Sequence, residues 1–431
     1  MKFALVNPNW KFEGSIYFGC REYHLPLEYG YAKALLEREG HEVLLLDAHL
    51  DCLDLKEIRQ RLWAFHPDFT VITTAPTYLF WRCPPPELRV PQQTVREIQD
   101  VGGIIVAVGP HASTTPEATL RKLGADVAVL GEFEEVLPRV AQGIERCAGE
   151  ASSICFQRDA SIHARSIPNE CTMHELPALR WPQEVIDKHR HHHHRFHAAP
   201  LGPGAEMETS RGCPYRCVFC AKEKFRNRYR SRPLAVILDE LDGLLAQGVE
   251  YVYFIDELFL PRRELLEAMI DRNVKFGVQS RIDLWSPEML ELLGRAGCVS
   301  IEVGVESISE TGRRLLSKRC KLAFGELTER LIFAKKHIAF VQANLIATRT
   351  DDPRAVENWR KVLLRHGVWA NKPVPLFPYP GSPIYERTWG LADDHAWGRA
   401  LDHYLQTYTE LSDIQEQQPL SLSQLELRSC R

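Results

Sequence analysis

Short apolar runs alternate with helical patterns along most of this chain, and this alternation is the strongest constraint on its fold. In the first third the runs resemble buried strands, and segments with apolar residues at helical spacing separate them. Strands joined in this way indicate a parallel sheet covered by helices on both faces. We therefore predict an α/β protein whose residues 1–148 form a Rossmann-like (flavodoxin-like) domain, with strands at residues 3–6, 43–46, 70–73, 104–108 and 127–130.

The carboxyl ends of these predicted strands mark where the first domain can bind a ligand. Open parallel sheets bind their ligands in the crevice beyond the strand ends, because the connecting loops converge there. The loops of interest are therefore residues 7–27, 75–91, 109–113 and 131–135.

A second alternation of strands and helices occupies residues 205–390. Its six strand-like runs are too few for a closed eight-stranded barrel and fit an open, partial (β/α)6 TIM-type barrel. Active residues of barrels sit in the loops that follow the strands. The expected strands are 205–210, 251–255, 275–279, 299–305, 340–347 and 374–377, and the expected helices are 236–246, 264–271, 288–296, 324–336 and 355–364.

Two segments break this rhythm. Residues 149–204 are rich in proline, and we predict a linker with a small hairpin near residues 154–162. The histidine run 191–194 is interpreted as a basic loop, with metal binding or a purification tag as the alternatives. Residues 391–431 are expected to form a helical segment at 395–405 and a tail.

Composition excludes several classes of protein. Hydrophobic residues make up 45% of the chain and charged residues 26%, as in ordinary soluble globular proteins. The formal charge of -4 gives no whole-molecule argument for binding nucleic acid or an anionic membrane. No apolar run reaches the ~20 residues of a membrane span, and the start does not resemble a signal peptide. We therefore expect a cytoplasmic protein.

Three of the twelve cysteines are clustered after the first strand of the second half. Cys213, Cys217 and Cys220 have the spacing C-x3-C-x2-C, whereas the other nine are scattered. Scattered cysteines of a cytoplasmic protein are reduced and commonly behave as small buried hydrophobes. Three closely spaced thiolates are the soft ligands that iron–sulfur clusters use. A zinc site would want a fourth ligand, for which only the histidine run is a candidate.

This cysteine spacing, with the aromatic Phe219 before the last cysteine and a partial barrel around it, resembles the radical S-adenosylmethionine (radical SAM) superfamily. The resemblance implies that Cys213, Cys217 and Cys220 bind a [4Fe-4S] cluster, and that S-adenosylmethionine chelates its fourth iron. It also implies that S-adenosylmethionine is cleaved reductively to a 5′-deoxyadenosyl radical, with an electron from a donor such as flavodoxin or ferredoxin. In such enzymes the cofactors supply the chemistry and the protein orients them.

Polar residues after the second and third barrel strands resemble the same family. Asp256 and Glu257 match its F-x-D-[DE]-x-F segment, which implies that they accept hydrogen bonds from an ammonium group. A helix N-cap pair is the alternative for these two carboxylates. Arg281 is implied to pair with the carboxylate of S-adenosylmethionine, or else it only bridges to Asp283.

Two later segments extend the resemblance. Residues 301–307 resemble the family's G-[IV]-E-S strand, which implies that Glu306 and Ser307 meet the ribose or methionine part of the cofactor. Gly304 is implied to allow close approach of the backbone. Residues 377–385 resemble the P-Y-P-G-[TS]-P segment of cobalamin-linked members.

The first domain, placed before such a barrel, resembles the cobalamin-binding domain of this family. The resemblance implies cofactor contacts at Gly109, His111, Gly131 and Glu132. Members that ligate cobalt through a histidine carry D-x-H-x-x-G after the first strand, and the corresponding loop here lacks that motif. We therefore expect cobalamin without a histidine ligand from the protein. The alternative is a domain that keeps the fold without the cofactor.

The segment around the cysteines is strongly basic. Residues 211–232 contain eight Arg and Lys residues and one Glu, with Phe225 and Tyr229 among them. Such a stretch suits single-stranded RNA, an anionic small molecule, or a solvated face. The near-neutral net charge and the lack of a recognisable RNA-binding module favour the last two interpretations.

The leading hypothesis is a cobalamin-dependent radical SAM methyltransferase that acts on an unactivated carbon or phosphorus of a small metabolite. One alternative is transfer of the 3-amino-3-carboxypropyl group to arsenic, from a weak resemblance of residues 204–213 and Cys430 to arsinothricin-biosynthesis proteins. Others are a non-methylating radical rearrangement and a non-catalytic cobalamin or metal sensor. The expected partners are a small-molecule substrate and an electron donor, with neither nucleic acid nor a membrane.

Overall fold

The described part of the chain forms two compact units. The computed structural model describes residues 1–10, 23–76, 88–144, 153–158, 161–164, 167–189 and 202–407. The first unit contains Met1–Leu179, Cys220–Asn227 and Pro378–Arg431, and the second contains Arg180–Phe219 and Arg228–Phe377. The domain boundaries predicted at residues 148, 204 and 390 follow motifs rather than packing, and they stay predictions.

The first unit is built on a seven-stranded sheet. Its strands are β1 (Lys2–Asn7), β2 (Glu42–Asp47), β3 (Phe69–Thr73), β4 (Ile104–Val108), β5 (Val127–Val129), β6 (Ile154–Arg158) and β7 (Ser161–Ala164). The strands follow the order β2-β1-β3-β4-β5-β6-β7, and the first five of these are parallel. The order 2-1-3-4-5 is that of flavodoxin-like sheets, with the switch point between β1 and β3. The predicted flavodoxin-like fold is therefore confirmed.

Helices separate the parallel strands of this sheet. They are α1 (Leu27–Arg38), α2 (Leu55–Phe65), α3 (Arg89–Ile98), α4 (Pro110–Thr114), α5 (Pro116–Leu123) and α6 (Val136–Ala141). One apolar core joins Val6 and Ile72 of the sheet to Leu62, Ile98 and Leu120 of the helices. Full burial of side chains of this size contributes about 1.5–3 kcal/mol each. The amphipathic pattern of the sequence thus buries its apolar side against the sheet.

The segment predicted as a linker contributes two strands to this sheet. β6 pairs antiparallel with β5, and β7 pairs antiparallel with β6. The hairpin expected near residues 154–162 is therefore present, and it extends the first sheet. Its pairing covers the backbone N–H and C=O groups along the β5 edge, which an edge strand would leave exposed.

The second unit has a six-stranded parallel sheet and a separate ribbon. Its strands are β8 (Gly204–Met207), β9 (Ser210–Arg211), β10 (Arg230–Ser231), β11 (Tyr251–Phe254), β12 (Lys275–Ser280), β13 (Cys298–Glu306), β14 (Phe340–Leu345) and β15 (Trp369–Ala370). The sheet order is β15-β14-β13-β12-β11-β8, whereas β9 and β10 form a two-stranded antiparallel ribbon. This sheet, with helices between its strands, is the predicted partial barrel.

The sixth strand of that sheet differs from the prediction. It lies at Trp369–Ala370, whereas Val374 makes only an isolated parallel bridge with Ile346. Pro373 and Pro375 flank Val374 in the sequence. Because proline has no N–H to donate, a regular ladder cannot continue through this segment. The strand predicted at 374–377 is therefore wrong.

Of the remaining helices, one precedes the second sheet, and the others follow its strands or lie near the end of the chain. They are α7 (Gln183–Lys188), α8 (Leu234–Ala246), α9 (Arg263–Ile270), α10 (Pro287–Arg295), α11 (Glu310–Leu315), α12 (Phe324–His337), α13 (Pro353–Arg365), α14 (Pro383–Trp389) and α15 (Ala396–Thr407). Ser286 and Asp352 cap α10 and α13, and a proline follows each cap. None of the described helices is long and apolar enough to cross a bilayer.

Replacing Gly131 with alanine should destabilise the first unit. Gly131 has a φ of +80°, and a Cβ there would lie 2.3 Å from the carbonyl oxygen of Asn169. The clash adds to the ~1–2 kcal/mol that a left-handed backbone costs other residues. Gly40→Ala is the matched control, since Gly40 has a φ of +81° and nothing within 4 Å of the added Cβ. Thermal unfolding should show the larger decrease in Tm for Gly131→Ala, and equal decreases would contradict the clash.

Candidate functional site

The three clustered cysteines lie in a loop whose base is closed by the short ribbon. The first barrel strand, β8, ends at Met207, and residues 212–229 connect β9 to β10. Cys213, Cys217 and Cys220 are half-buried and make no disulfide bond. The loop therefore presents three reduced thiols just beyond the carboxyl end of the first barrel strand.

Asp256, which follows β11, holds the residues that lead into this loop. Its side chain is 1% exposed. One carboxylate oxygen accepts a hydrogen bond from the Thr209 backbone N–H at 2.7 Å. The other accepts from the Thr209 hydroxyl at 2.6 Å and from the Ser210 hydroxyl. Burial raises the pKa of Asp256 to about 7, although these three hydrogen bonds oppose the rise.

Neighbouring charged residues extend this restraint to the first cysteine. Glu257 Oε2 accepts a hydrogen bond from the backbone N–H of Gly212 at 2.8 Å. Glu208 Oε1 accepts from Nε and Nη2 of Arg211 at 2.8 and 2.6 Å, and both side chains are buried. Residues 208–212 are thus tied down directly before Cys213. We call Asp256 and Glu257 the carboxylate clamp.

The sequence did not predict that Asp256 and Glu257 accept hydrogen bonds from the residues that precede Cys213. The alternative interpretation of these two carboxylates as a helix N-cap pair is wrong, since α9 begins only at Arg263. The oxygens of Asp256 accept hydrogen bonds from Thr209 and Ser210 of the chain itself. Recognition of an ammonium group by these carboxylates stays a prediction.

Arg281 lies beyond the end of β12, beside the cysteine loop. Its Nε and Nη2 donate to the two oxygens of Asp283 at 3.1 and 2.8 Å. Its guanidinium carbon lies 3.8 Å from the ring centroid of Tyr215, which stands between Cys213 and Cys217. The side chain is buried, and Nη1 has no hydrogen-bond partner among the described residues. Arg281 therefore bridges to Asp283 and keeps one donor for another acceptor.

A second buried ion pair forms at the end of β13. Lys318 Nζ lies 2.7 Å from Glu306 Oε1, and both side chains are at most 10% exposed. Glu306 has a φ of +66°, an uncommon conformation for a residue with a side chain. A Cβ on Gly304 would lie 2.2 Å from the Glu306 carboxylate and 2.8 Å from Lys318 Nζ. Gly304 thus leaves room for this ion pair within the chain itself.

The charges of Arg281 and Lys318 act on the thiol of Cys217. Burial raises the pKa of Cys217, whereas Lys318 and Arg281 both oppose that rise. Cations beside a cysteine stabilise the thiolate, which is the form that binds metals. Glu306 adds to the rise, so the surroundings of Cys217 combine partial burial with two cations and one carboxylate.

Lys318 and Asp351 are site residues that the sequence analysis missed. Ser307 Oγ donates to Asp351 Oδ1 at 2.9 Å, and the backbone N–H groups of Ile308 and Ser309 donate to the same carboxylate at 3.2 Å. Asp351 thereby fixes the turn after Glu306. The signal that could have found Lys318 is the density of Arg and Lys at 313–321, in the loop after a barrel strand. No comparable signal in the sequence points to Asp351.

The spacing of the three cysteines allows either a zinc site or an iron–sulfur cluster, and these two kinds of site make different demands on the ligands. A zinc ion draws four ligands onto one centre, whereas each cysteine of an iron–sulfur cluster binds through its own thiolate to the cluster. Within the described ranges, no group of three or more His, Cys, Asp and Glu side chains is placed to hold a metal ion. The three closely spaced thiols, of which Cys217 has Lys318 and Arg281 nearby, offer the soft ligands that iron–sulfur clusters use.

In the first unit, Gly109 and His111 lie at the carboxyl end of β4. Gly109 has a φ of +104° and directly precedes α4, where an added Cβ would lie 2.8 Å from Thr74 Oγ1. His111 is fully buried, and its ring centroid lies 3.8 Å from that of Trp397. Its backbone N–H donates to Thr74 Oγ1 at 3.3 Å. These residues shape the loop at the edge of the sheet.

Gly131 and Glu132 occupy the neighbouring loop after β5. Gly131 forms an isolated bridge with Asn169. Glu132 is buried, and its Oε2 accepts a hydrogen bond from the backbone N–H of Cys171 at 2.8 Å. Both residues therefore bind the returning segment near residues 169–171. The cofactor contacts expected of Gly109, His111, Gly131 and Glu132 stay predictions.

Several predicted features have no further structural description. Phe219 is half-buried beside the buried Val218. The histidine run 191–194 and Cys430 lie outside the described residues. Part of the loop in which the cobalt-ligating motif was sought, residues 11–22, lies outside them as well.

Replacing Asp256 with asparagine should change how stability depends on pH. The pKa of Asp256 in the folded chain is about 7, above the ~4 of an unfolded aspartate. Between these values the native state binds more protons, so Asp256 makes the wild-type chain less stable as pH rises. The unfolding free energy of Asp256→Asn relative to wild type should therefore increase between about pH 5 and pH 7, by at most ~1.4 kcal/mol per unit.

Urea unfolding at several pH values measures this effect. Glu264→Gln is the control, since Glu264 is an exposed carboxylate in the first turn of α9. This variant shows the effect of removing an exposed carboxylate from the same unit. A pH-independent difference for Asp256→Asn would show that the buried carboxylate does not titrate in this range.

Comparison with solved structures identifies the architecture. TsrM from Kitasatospora setae, described as a radical S-adenosylmethionine methyltransferase and solved with its tryptophan substrate and a SAM analog, matches with a TM-score of 0.68 at 20% identity. The match covers 89% of this chain and 74% of TsrM. TsrM has also been solved with cobalamin and a [4Fe-4S] cluster bound. At this level of identity the likeness establishes the fold.

Curated relatives cover both units. An "Uncharacterized methyltransferase PH0819" from Pyrococcus horikoshii is 23% identical over 298 residues, which is 66% of this chain and 61% of that protein. The anaerobic magnesium-protoporphyrin IX monomethyl ester cyclase of Cereibacter sphaeroides is 24% identical over 416 residues, covering 90% of this chain and 63% of the cyclase. The chain thus spans less than two thirds of the length of these two relatives.

Family models match the two halves separately. The model of the B12 binding domain matches residues 20–141, which include most of the first sheet. The model of the radical SAM superfamily matches residues 207–357, which include the cysteine loop and the strands β11 to β14. The chain therefore carries a segment that matches the radical SAM superfamily, preceded by a segment that matches the B12 binding domain.

Proposed function

We propose that this protein is a cobalamin-dependent radical SAM methyltransferase that acts on an unactivated carbon or phosphorus of a small metabolite. The observation that carries the proposal is the loop of three half-buried thiols, anchored by the carboxylate clamp, in a chain that also has a B12-binding domain. Two similar proteins, TsrM and PH0819, are named as methyltransferases. The cyclase relative carries a different activity in its name, so the reaction type needs a direct test.

The residues of the loop fit the cluster that the family implies. Cys213, Cys217 and Cys220 would hold three of its irons, since thiolate is the preferred ligand of iron–sulfur sites. When bound, the cluster supplies the electron that cleaves S-adenosylmethionine, and cobalamin supplies the methyl group. The chain's own part is to hold the thiols at fixed positions and to keep cationic side chains beside the thiolates.

Arg281 is the residue that best fits the carboxylate of S-adenosylmethionine. Its Nη1 is buried without a partner among the described residues, and an unsatisfied buried donor costs about 1–3 kcal/mol. A carboxylate that accepts from Nη1 would remove this cost. Asp283 and Tyr215 keep the guanidinium in position from two other sides. Glu306 and Ser307 lie at the end of the neighbouring strand, where the resemblance implies further cosubstrate contacts.

The first unit is the proposed binding site of cobalamin. The switch point between β1 and β3, where flavodoxin-like sheets bind their ligands, supports this assignment. Gly109 and His111 line the end of β4 next to that point, with His111 held against Trp397. We propose that cobalamin binds there without a histidine ligand from the protein. The expected partners, a small-molecule substrate and a protein electron donor, are part of the same proposal.

Product analysis of the anaerobically reconstituted protein tests the reaction type. With S-adenosylmethionine, hydroxocobalamin, a reductant and a metabolite extract, we expect both S-adenosylhomocysteine and 5′-deoxyadenosine, since one molecule donates the methyl group and another forms the radical. Labelled methyl groups should appear in a small-molecule product detected by mass spectrometry. Methylthioadenosine in place of these products would instead indicate 3-amino-3-carboxypropyl transfer, and absence of bound cobalamin would refute the proposal.

Substitution of single cysteines tests the metal site. Cys217→Ala should lose most of the iron and sulfide of the reconstituted protein, because a three-thiolate site cannot hold the cluster with two. Cys320→Ala is the matched control, since Cys320 is also half-buried, lies in the second unit and is outside the motif. It should keep its iron. Similar iron contents in the two variants would contradict the assignment, and cobalamin binding in both would show that the first unit is intact.

A further inference from the structure

The segment between β13 and α12, which includes the short helix α11, carries an unusual concentration of positive charge. Five of the nine residues at 313–321 are Arg or Lys. Two of them point into the protein: Lys318 pairs with Glu306, and the buried Arg313 donates to the backbone carbonyls of Ser307, Ile308 and Leu322. The other three, Arg314, Arg319 and Lys321, are exposed, and no ion pair of theirs is found among the described residues.

The three exposed residues surround a cavity and an apolar side chain. The cavity has a volume of about 610 Å³, and its lining includes Arg314, Arg319 and Lys321, with Glu310 as the one carboxylate. Leu315, in the sequence next to Arg314, is 62% exposed. An exposed apolar residue within a charged rim is typical of a surface that contacts another protein. We call Arg314, Leu315, Arg319 and Lys321 the basic face.

The inner side of the same segment contacts the cysteine loop. The backbone N–H of Val218, between Cys217 and Cys220, donates to the carbonyl oxygen of Leu316 at 3.1 Å. Ser317 and Arg319, on either side of Lys318, both have positive φ values, of +53° and +51°. The backbone therefore turns Lys318 inward at the place where it leaves Arg319 outside.

We propose that the basic face is the docking surface for an acidic, one-electron carrier protein that reduces the cluster. This inference rests on the proposed function, because reductive cleavage of S-adenosylmethionine needs an electron from outside the chain. The basic face is continuous with the loop that carries the cysteines, which places a docked carrier next to the group it must reduce. Positive charge at such a place steers an acidic partner and speeds its association.

The experiment compares two triple variants of the reconstituted protein. Arg314→Glu/Arg319→Glu/Lys321→Glu reverses the exposed charge of the basic face. The control is Lys275→Glu/Arg295→Glu/Arg365→Glu, which makes the same change in charge. These three residues are exposed and lie at the start of β12 and at the ends of α10 and α13, on the opposite edge of the sheet from the cysteine loop.

A reduced flavodoxin serves as the acidic carrier, and dithionite as a small reductant that needs no docking surface. The basic-face variant should bind flavodoxin at least ~10-fold more weakly than wild type, with a matching loss in the rate of cluster reduction. The control should change by less than ~3-fold, and dithionite should reduce all three proteins equally. Raising the salt concentration should weaken the wild-type interaction and bring the three proteins closer together.

Several results would overturn the inference, and they are distinguishable from failure of the proposed function. Equal losses in the two triple variants would show an effect of net charge alone. Equal rates of cluster reduction by flavodoxin in wild type and the basic-face variant would place the docking surface elsewhere. The same conclusion would follow if charge reversal weakened only the binding of a short RNA or of inorganic phosphate. If wild type binds no cluster, both the proposed function and this inference fail. If dithionite reduces the wild-type cluster and flavodoxin does not, only the inference fails.

Discussion

The hydrogen bonds from Thr209 and Ser210 to the buried carboxylate of Asp256 are the constraint on which the rest of the site depends. β8 and β11 are neighbouring parallel strands. The hydrogen bonds connect the residues just beyond the end of β8 to Asp256, which lies just beyond the end of β11. An ionised carboxylate in the interior is costly unless several hydrogen-bond donors satisfy it. When Asp256 is ionised, Thr209 and Ser210 must therefore stay within hydrogen-bonding distance of it, and this fixes the spacing of the two strand ends. Glu257 restrains the next residues in the same way, because it accepts a hydrogen bond from the backbone N–H of Gly212. The position of Cys213 is thereby set by the sheet rather than by the loop alone.

The site also balances charge in pairs. Arg281 with Asp283 and Lys318 with Glu306 are two buried ion pairs near Cys217, each with no net charge. A buried pair keeps its ions satisfied when no ligand is bound, whereas a lone buried charge would destabilise the fold. Each cation still lowers the free energy of a nearby thiolate. Neither cation therefore depends on a bound cluster for a partner of opposite charge.

The sequence predicted the two parallel sheets and the cysteine loop because these depend on local patterns. Runs such as Ile104–Val108 and the spacing of Cys213, Cys217 and Cys220 are complete within a few residues. The missed features depend on residues that are distant in the chain. The sequence around Asp256 does not show that its carboxylate oxygens accept hydrogen bonds from Thr209. Likewise, the sequence around β5 does not show that residues 154–158 pair with it as an antiparallel strand. The error at the sixth strand was avoidable, because Pro373 and Pro375 forbid a regular ladder on local grounds.

The segment after β13 has inward residues that contact the protein itself and outward residues that are exposed to solvent. Its inward residues, Arg313 and Lys318, satisfy backbone carbonyls and Glu306, so the segment is held by contacts that leave Arg314, Arg319 and Lys321 outside. The outward residues are exposed to solvent, and none of them forms an ion pair with another described residue. Their common positive sign on an exposed surface therefore calls for an explanation in terms of a partner, since like charges side by side repel and do not stabilise the fold. A negatively charged partner removes that repulsion on contact, at a surface that touches the cysteine loop from behind.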